Sequence, residues 1–157
     1  MAAVQMRFVD QLLNDRAALA VLAAELRIVA LPGSSPRPES ARLWYRAREP
    51  YYELFIDVQK GGIHWWQLTL RGYAWTWSRT TGRVTCETTT ETEITDRGIS
   101  ASALLGRVPP RDRRRALLFC AELLSLRDEP FIHRCGSIAR DALAAIDAPP
   151  IELRPGP

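Results

Sequence analysis

Residues 65–78 read WWQLTLRGYAWTWS, two runs of alternating apolar and polar residues hinged on Arg71-Gly72. Alternation with a period of two marks a half-buried strand, and a two-residue loop ending in glycine between two such runs marks a hairpin. That loop sets Leu70 opposite Tyr73, Leu68 opposite Trp75 and Trp66 opposite Trp77. Directly opposed residues of an antiparallel pair share a face, so this face is apolar.

The flanking hairpins can be registered against the same face. A three-residue loop, Lys60-Gly61-Gly62, is needed to place Leu54, Ile56 and Val58 there, because a two-residue loop would flip them to the other face. A Thr81-Gly82 turn brings Val84 and Cys86 beneath Arg79 and Trp77, and a Glu49-Pro50 turn adds Leu43, Tyr45 and Ala47. The reading is a five-stranded antiparallel meander over residues 42–95 that carries all five tryptophans and all four tyrosines.

The opposite face follows from the same register. Arg46 falls opposite Glu53, Trp44 opposite Phe55 and Arg42 opposite Asp57, with Trp65 beside Asp57. Gln67, Thr69, Thr76 and Ser78 continue this surface, and Glu87, Glu91 and Glu93 end it. It is an amphipathic face: an aromatic strip of Trp44, Phe55 and Trp65 flanked by arginines that have carboxylate partners.

Helices are expected on either side. Residues 3–28 carry Phe8, Leu12, Leu19, Leu22 and Leu26 at near-helical spacing, with Asp15 placed to cap a second helix after a break at Asn14. Residues 32–40 hold three prolines and form a connector, which no helix or central strand accommodates. Over 100–147 the pattern predicts two to three helices. Ser100 or Ser102 caps a short one, and Pro109-Pro110 opens a longer one buried through Phe119, Cys120, Leu123 and Leu124. A last helix is capped by Asp128 and buried through Phe131, Cys135, Ile138, Ala142 and Ile146. Residues 148–157 read as an extended tail. The whole is a single α+β domain, a five-stranded sheet packed against an N-terminal helix and the C-terminal helices, and 157 residues suffice for one core.

Composition narrows the function classes. Hydrophobic content of 46% with 25% charged residues is that of a globular chain. No apolar run reaches the roughly 20 residues of a membrane span, no basic leader precedes residue 10, and three cysteines form no disulfide framework. The expected compartment is the cytoplasm, with no membrane partner. Lys60 is the sole lysine among 21 basic residues, a bias that points to a GC-rich bacterial or phage genome and weakens functional readings of single arginines.

The candidate chemistry is sparse. His133 and Cys135 lie two apart on a helix and so point roughly 200° away from each other. Cys120 and Cys135 lie on apolar stripes, where thiols behave as small hydrophobes, and Cys86 lies on the core face beside Trp77. No metal ligand set and no cofactor motif is read, and the balance is against an enzyme. Arg107, Arg111, Arg113, Arg114 and Arg115 crowd a helix N-terminus, where cations oppose the helix dipole. They are candidates for anion or nucleic-acid binding. His64, Trp66, Trp77 and Arg79 are candidates for lining a cavity at the core margin.

Three functional expectations result. The favoured one is a small non-catalytic binding or regulatory protein that engages another protein, or itself, through Trp44, Phe55, Trp65, Arg42 and Arg46, since tryptophan and arginine dominate binding hot spots. The second is a nucleic-acid binder using the Arg111–Arg115 cluster and the sheet aromatics. The third is a small-molecule binder or enzyme with a tryptophan-lined cavity near His64.

Overall fold

The computed structural model describes residues 2–29, 40–89 and 106–147. Two helices open the chain, α1 (Ala2–Asn14) and α2 (Arg16–Ala24). The break between them falls at Asp15, whose carboxylate accepts the Ala18 N–H at 3.0 Å and caps α2. The strands are β1 (Arg27–Ile28), β2 (Ser40–Arg46), β3 (Glu53–Gln59), β4 (Gly62–Leu70), β5 (Tyr73–Ser78), β6 (Arg83–Thr88) and β7 (Gly106–Arg107). Helices α3 (Pro110–Ser125) and α4 (Pro130–Asp147) follow. The architecture is α+β. The sheet is antiparallel with its seven strands in chain order, and the helices pack on one side of it.

Two strands were not foreseen. The helical reading of 3–28 ends at Ala24, and Arg27–Ile28 pairs with Arg46 and Tyr45 as the first edge strand. Likewise Gly106-Arg107 lies outside any helix and pairs with Glu87 and Thr88 as the other edge. Two-residue strands carry no alternation to read, and short edge strands limit the exposed ladder available for unwanted pairing. The expected helix from Ser100 or Ser102 and the connector at 32–39 lie outside the described residues, as do the tail and Glu91 and Glu93.

The central register keeps every face as expected but reaches it differently. Leu70 faces Tyr73, Leu68 faces Trp75 and Trp66 faces Trp77 across a turn with Arg71 at φ 45° and Gly72 at φ 80°. The β3–β4 loop has two residues, not three: Lys60 and Gly61 lie at φ 50° and 75°, and Gln59 pairs with Gly62. Both hairpins thus use the left-handed turn whose twist matches that of the strands. The odd residue is supplied inside β4, where His64 stands between Ile63, opposite Val58, and Trp65, opposite Asp57. This bulge restores Ile56 to Trp66. The β5–β6 connection also differs. It spans Arg79–Gly82, so Val84 faces Trp77 and Cys86 faces Trp75, a two-residue shift that leaves both faces unchanged.

Two rows of side chains cross the core face. One runs Tyr45, Leu54, Leu68, Trp75, Cys86, and the other Leu43, Ile56, Trp66, Trp77, Val84. Helix α3 lies over them with Phe119, Cys120, Leu123 and Leu124 buried. Trp75 joins the layers: its indole N–H donates to the Ala116 carbonyl at 3.0 Å and its ring lies 5.9 Å from Phe119. The buried Tyr52 hydroxyl donates to the Leu22 carbonyl at 3.2 Å and ties α2 to the sheet. Arg71 lies over the Phe8 ring at 4.1 Å while its guanidinium pairs with Glu49, so one side chain ties α1 to two hairpin turns.

Helix α4 departs from its expected stripe by about one residue. Ile132, Cys135, Ala139 and Leu143 are buried, whereas Phe131, Ile138 and Ala142 are partly so and Ile146 is exposed. Its cap is Glu129, not Asp128, with the carboxylate accepting the Ile132 N–H at 2.8 Å. Gly136 meets the end of α3. A Cβ there would lie 2.7 Å from the backbone nitrogen of Ser125 and 3.0 Å from the Leu124 carbonyl carbon. Backbone cannot yield as a flexible side chain does, so the two helices would have to separate. Gly136→Ala is expected to destabilise the protein by about 1–2 kcal/mol, with overpacking outweighing the gain in helix propensity. A lowered urea midpoint at unchanged slope is the measurement that checks it.

Candidate functional site

The face opposite the helices is built from three cross-strand rows. Trp44, Phe55, Gln67, Thr76 and Thr85 form one. Arg42, Asp57, Trp65, Ser78 and Arg83 form the next, and Arg27, Arg46, Glu53, Thr69, Ala74, Glu87 and Arg107 the third. Trp44 and Phe55 stack with centroids 5.8 Å apart and planes 8° from parallel. Trp65 is diagonal to Phe55, so the three aromatics run obliquely across β2, β3 and β4. All three are partly exposed.

Ion pairs border this strip on both sides. Arg42 holds Asp57 through two hydrogen bonds of 2.6 and 2.9 Å, and the bond and charge of Asp57 raise the Arg42 pKa above its ordinary value. Arg46 meets Glu53 at 3.5 Å. Exposed pairs of this kind contribute about 0–1 kcal/mol each. Their larger consequence is that the two arginines nearest the aromatics, Arg42 and Arg46, each have a carboxylate partner. Among the described residues the helices lie across the sheet from the strip, as the Trp75–Ala116 and Tyr52–Leu22 bonds show.

The arginine cluster at α3 is largely engaged. Arg114 holds Asp147 at 2.8 and 3.0 Å, which raises the arginine pKa and lowers that of Asp147. Arg115 reaches Asp10 at 3.1 Å, Arg111 lies 3.7 Å from its neighbour Asp112, and Arg107 stands opposite Glu87 in the ladder. Of these five, only Arg113 has neither an ion pair nor an opposed acid among the described residues. The arginines that the sequence placed in one run thus find acids on three other elements, Asp147 of α4, Asp10 of α1 and Glu87 of β6.

The four residues expected to line a cavity are separated. Trp66 is fully buried. His64, expected on the core face, is the half-buried bulge residue, and Ile63 takes the core position opposite Val58. Trp77 and Arg79 do share a cleft of about 500 Å³, but with Gly61, Gly62, Ile63, Pro130, Phe131, Arg134 and Ile138. Sequence reasoning placed Phe131 and Ile138 in the core stripe and passed over Arg134. Their meeting with the β3–β4 turn depends on where α4 lies, which no local pattern encodes.

Among the described residues no group of three His, Cys, Asp or Glu side chains is placed to hold a metal ion, and no helix is long and apolar enough to cross a membrane. Cys86, Cys120 and Cys135 are buried free thiols. Burial pushes Cys86 up to about 12 despite the nearby charge of Arg113, and raises Cys120 and Cys135 further. The thiolate is the nucleophile, so a raised pKa makes all three inert near neutrality.

Comparison with known proteins gave no matching family model, no matching curated protein and no matching solved structure. The site must be read from its own chemistry. For the thiols that reading is definite: at pH 8 the native protein should react with a disulfide reagent such as DTNB far more slowly than the chain unfolded in guanidinium, which releases all three equivalents. Fast release of one equivalent from native protein would reveal an activated cysteine.

Proposed function

We propose that this protein is a non-catalytic binding or regulatory protein, acting in the cytoplasm, whose open sheet face docks another protein or a second copy of itself. One observation carries the reading. Trp44, Phe55 and Trp65 form an oblique aromatic strip on the side of the sheet away from the described helices. Partly exposed aromatics ringed by polar side chains have the composition of an interface centre and its rim. Two of the arginines that border the strip are matched by acids, Arg42 with Asp57 and Arg46 with Glu53. Such a border suits a protein surface better than a polyanion, which would draw on free cations. The engagement of Arg114 and Arg115 by Asp147 and Asp10 weighs against the nucleic-acid alternative in the same way.

The test uses two sets of variants. Phe55→Glu with Trp65→Glu should abolish self-association in sedimentation velocity, or capture of a partner by the tagged protein, while circular dichroism and thermal midpoint stay close to wild type. Arg113→Ala with Arg114→Ala should leave that association intact. Association that survives the sheet-face pair, or that falls with added salt and with the arginine pair, would reject this reading in favour of an electrostatic one.

A further inference from the structure

The cleft at the far end of the sheet has a chemistry that the sheet face lacks. It is lined by Gly61, Gly62 and Ile63 of the β3–β4 turn and the start of β4, by Trp77 of β5, and by Pro130, Phe131 and Ile138 of α4. Phe131, Arg134 and Ile138 recur at the spacing of one helix face, adjacent to the face that buries Ile132, Cys135 and Ala139. Helix α4 is therefore apolar over a wider arc than its core contacts use.

Two arginines line this cleft, Arg79 from the β5–β6 turn and Arg134 from α4. Arg79 leans over the hairpin: its Nη1 lies 3.6 Å from where a Cβ on Gly62 would be. Its backbone N–H is held by the His64 carbonyl at 2.9 Å, so the bulge helps to position it. Neither arginine is in an ion pair among the described residues, and no acidic residue lines the cleft. The nearest acid in sequence, Glu129, is committed to the Ile132 N–H. Arg42, Arg46, Arg71, Arg114 and Arg115 each meet a carboxylate, whereas Arg79 and Arg134 face one common cleft whose lining holds no acid.

We propose that this cleft binds a small amphipathic anion: an aryl or branched acyl group against Trp77, Phe131, Ile63 and Ile138, with its acidic group held by Arg79 and Arg134. The volume, about 500 Å³, is in the range of small-molecule sites. Planar guanidinium forks match carboxylate geometry, and the flat Trp77 and Phe131 rings suit an aromatic body. This inference is independent of the sheet-face reading, since it uses different residues at a different place.

The probe pair is 8-anilinonaphthalene-1-sulfonate and the uncharged N-phenyl-1-naphthylamine, which share an aromatic frame and differ in the anion. The anionic dye should bind one to one and shift amide resonances of Gly61, Gly62, Ile63 and Phe131 and the Trp77 indole N–H. Arg79→Ala with Arg134→Ala should weaken it at least tenfold while changing the neutral dye less than twofold. Arg79→Lys with Arg134→Lys should recover part of the loss. Phe55→Glu with Trp65→Glu should leave the dye bound as in wild type, which separates this site from the sheet face. Equal loss of both dyes in the arginine variant, no loss of either, or resonance shifts centred on Trp44 and Trp65 would overturn the proposal.

Discussion

The structure depends on Trp75 more than on any other side chain. It stands in the middle of the core row between Leu68 and Cys86, fully buried, and donates its indole N–H to the carbonyl of Ala116. That bond sets where α3 rests on the sheet, and the adjacent Phe119 fills the space beside the ring. Truncating a buried aromatic of this size typically costs about 3–5 kcal/mol, a large share of the stability of a small domain. Because Trp75 also fixes which way β5 faces, it decides the outward side of its neighbours by the pleat alone. The exposed strip of Trp44, Phe55 and Trp65 is thus a consequence of where the core tryptophans point.

Arginine placement gives the surface its second organising rule. With twenty arginines and one lysine the chain carries many permanent cations, and among the described residues eight arginines lie against carboxylates. Each pair is weak as a stabiliser, yet together they settle where positive charge remains available. The α3 cluster is compensated by Asp147 and Asp10, whereas the cleft beside Trp77 is not. Charge counted along the chain pointed to residues 107–115. Charge counted in space adds Arg79 and Arg134, which line one cleft together without an acid.

Registers were legible where hydrophobic alternation and turn chemistry agreed. The pairings of Arg42 with Asp57, Trp44 with Phe55 and Arg46 with Glu53 follow from the pattern, and the structure shows each of them. At Lys60-Gly61 the pattern demanded one odd residue and left open where to put it. A longer loop and a bulge at His64 satisfy the faces equally, and the two-residue turn is the one used. That ambiguity moved His64 off the core face and out of the cleft. In α4 the expected stripe was rotated because Phe131 and Ile138 are apolar without being core residues.

The sequence by itself determined the two faces of the sheet, the hairpin order and the composition of the core, because strand alternation and turn residues act over a few positions. Only the tertiary structure decided the edge strands, the charge partners of Arg114 and Arg115, and the cleft between α4 and the β3–β4 turn. Those partners lie 33 and 105 positions away. Two-residue strands have no period, and contacts across such distances are set by how α3 seats on Trp75 and how closely α4 approaches it at Gly136.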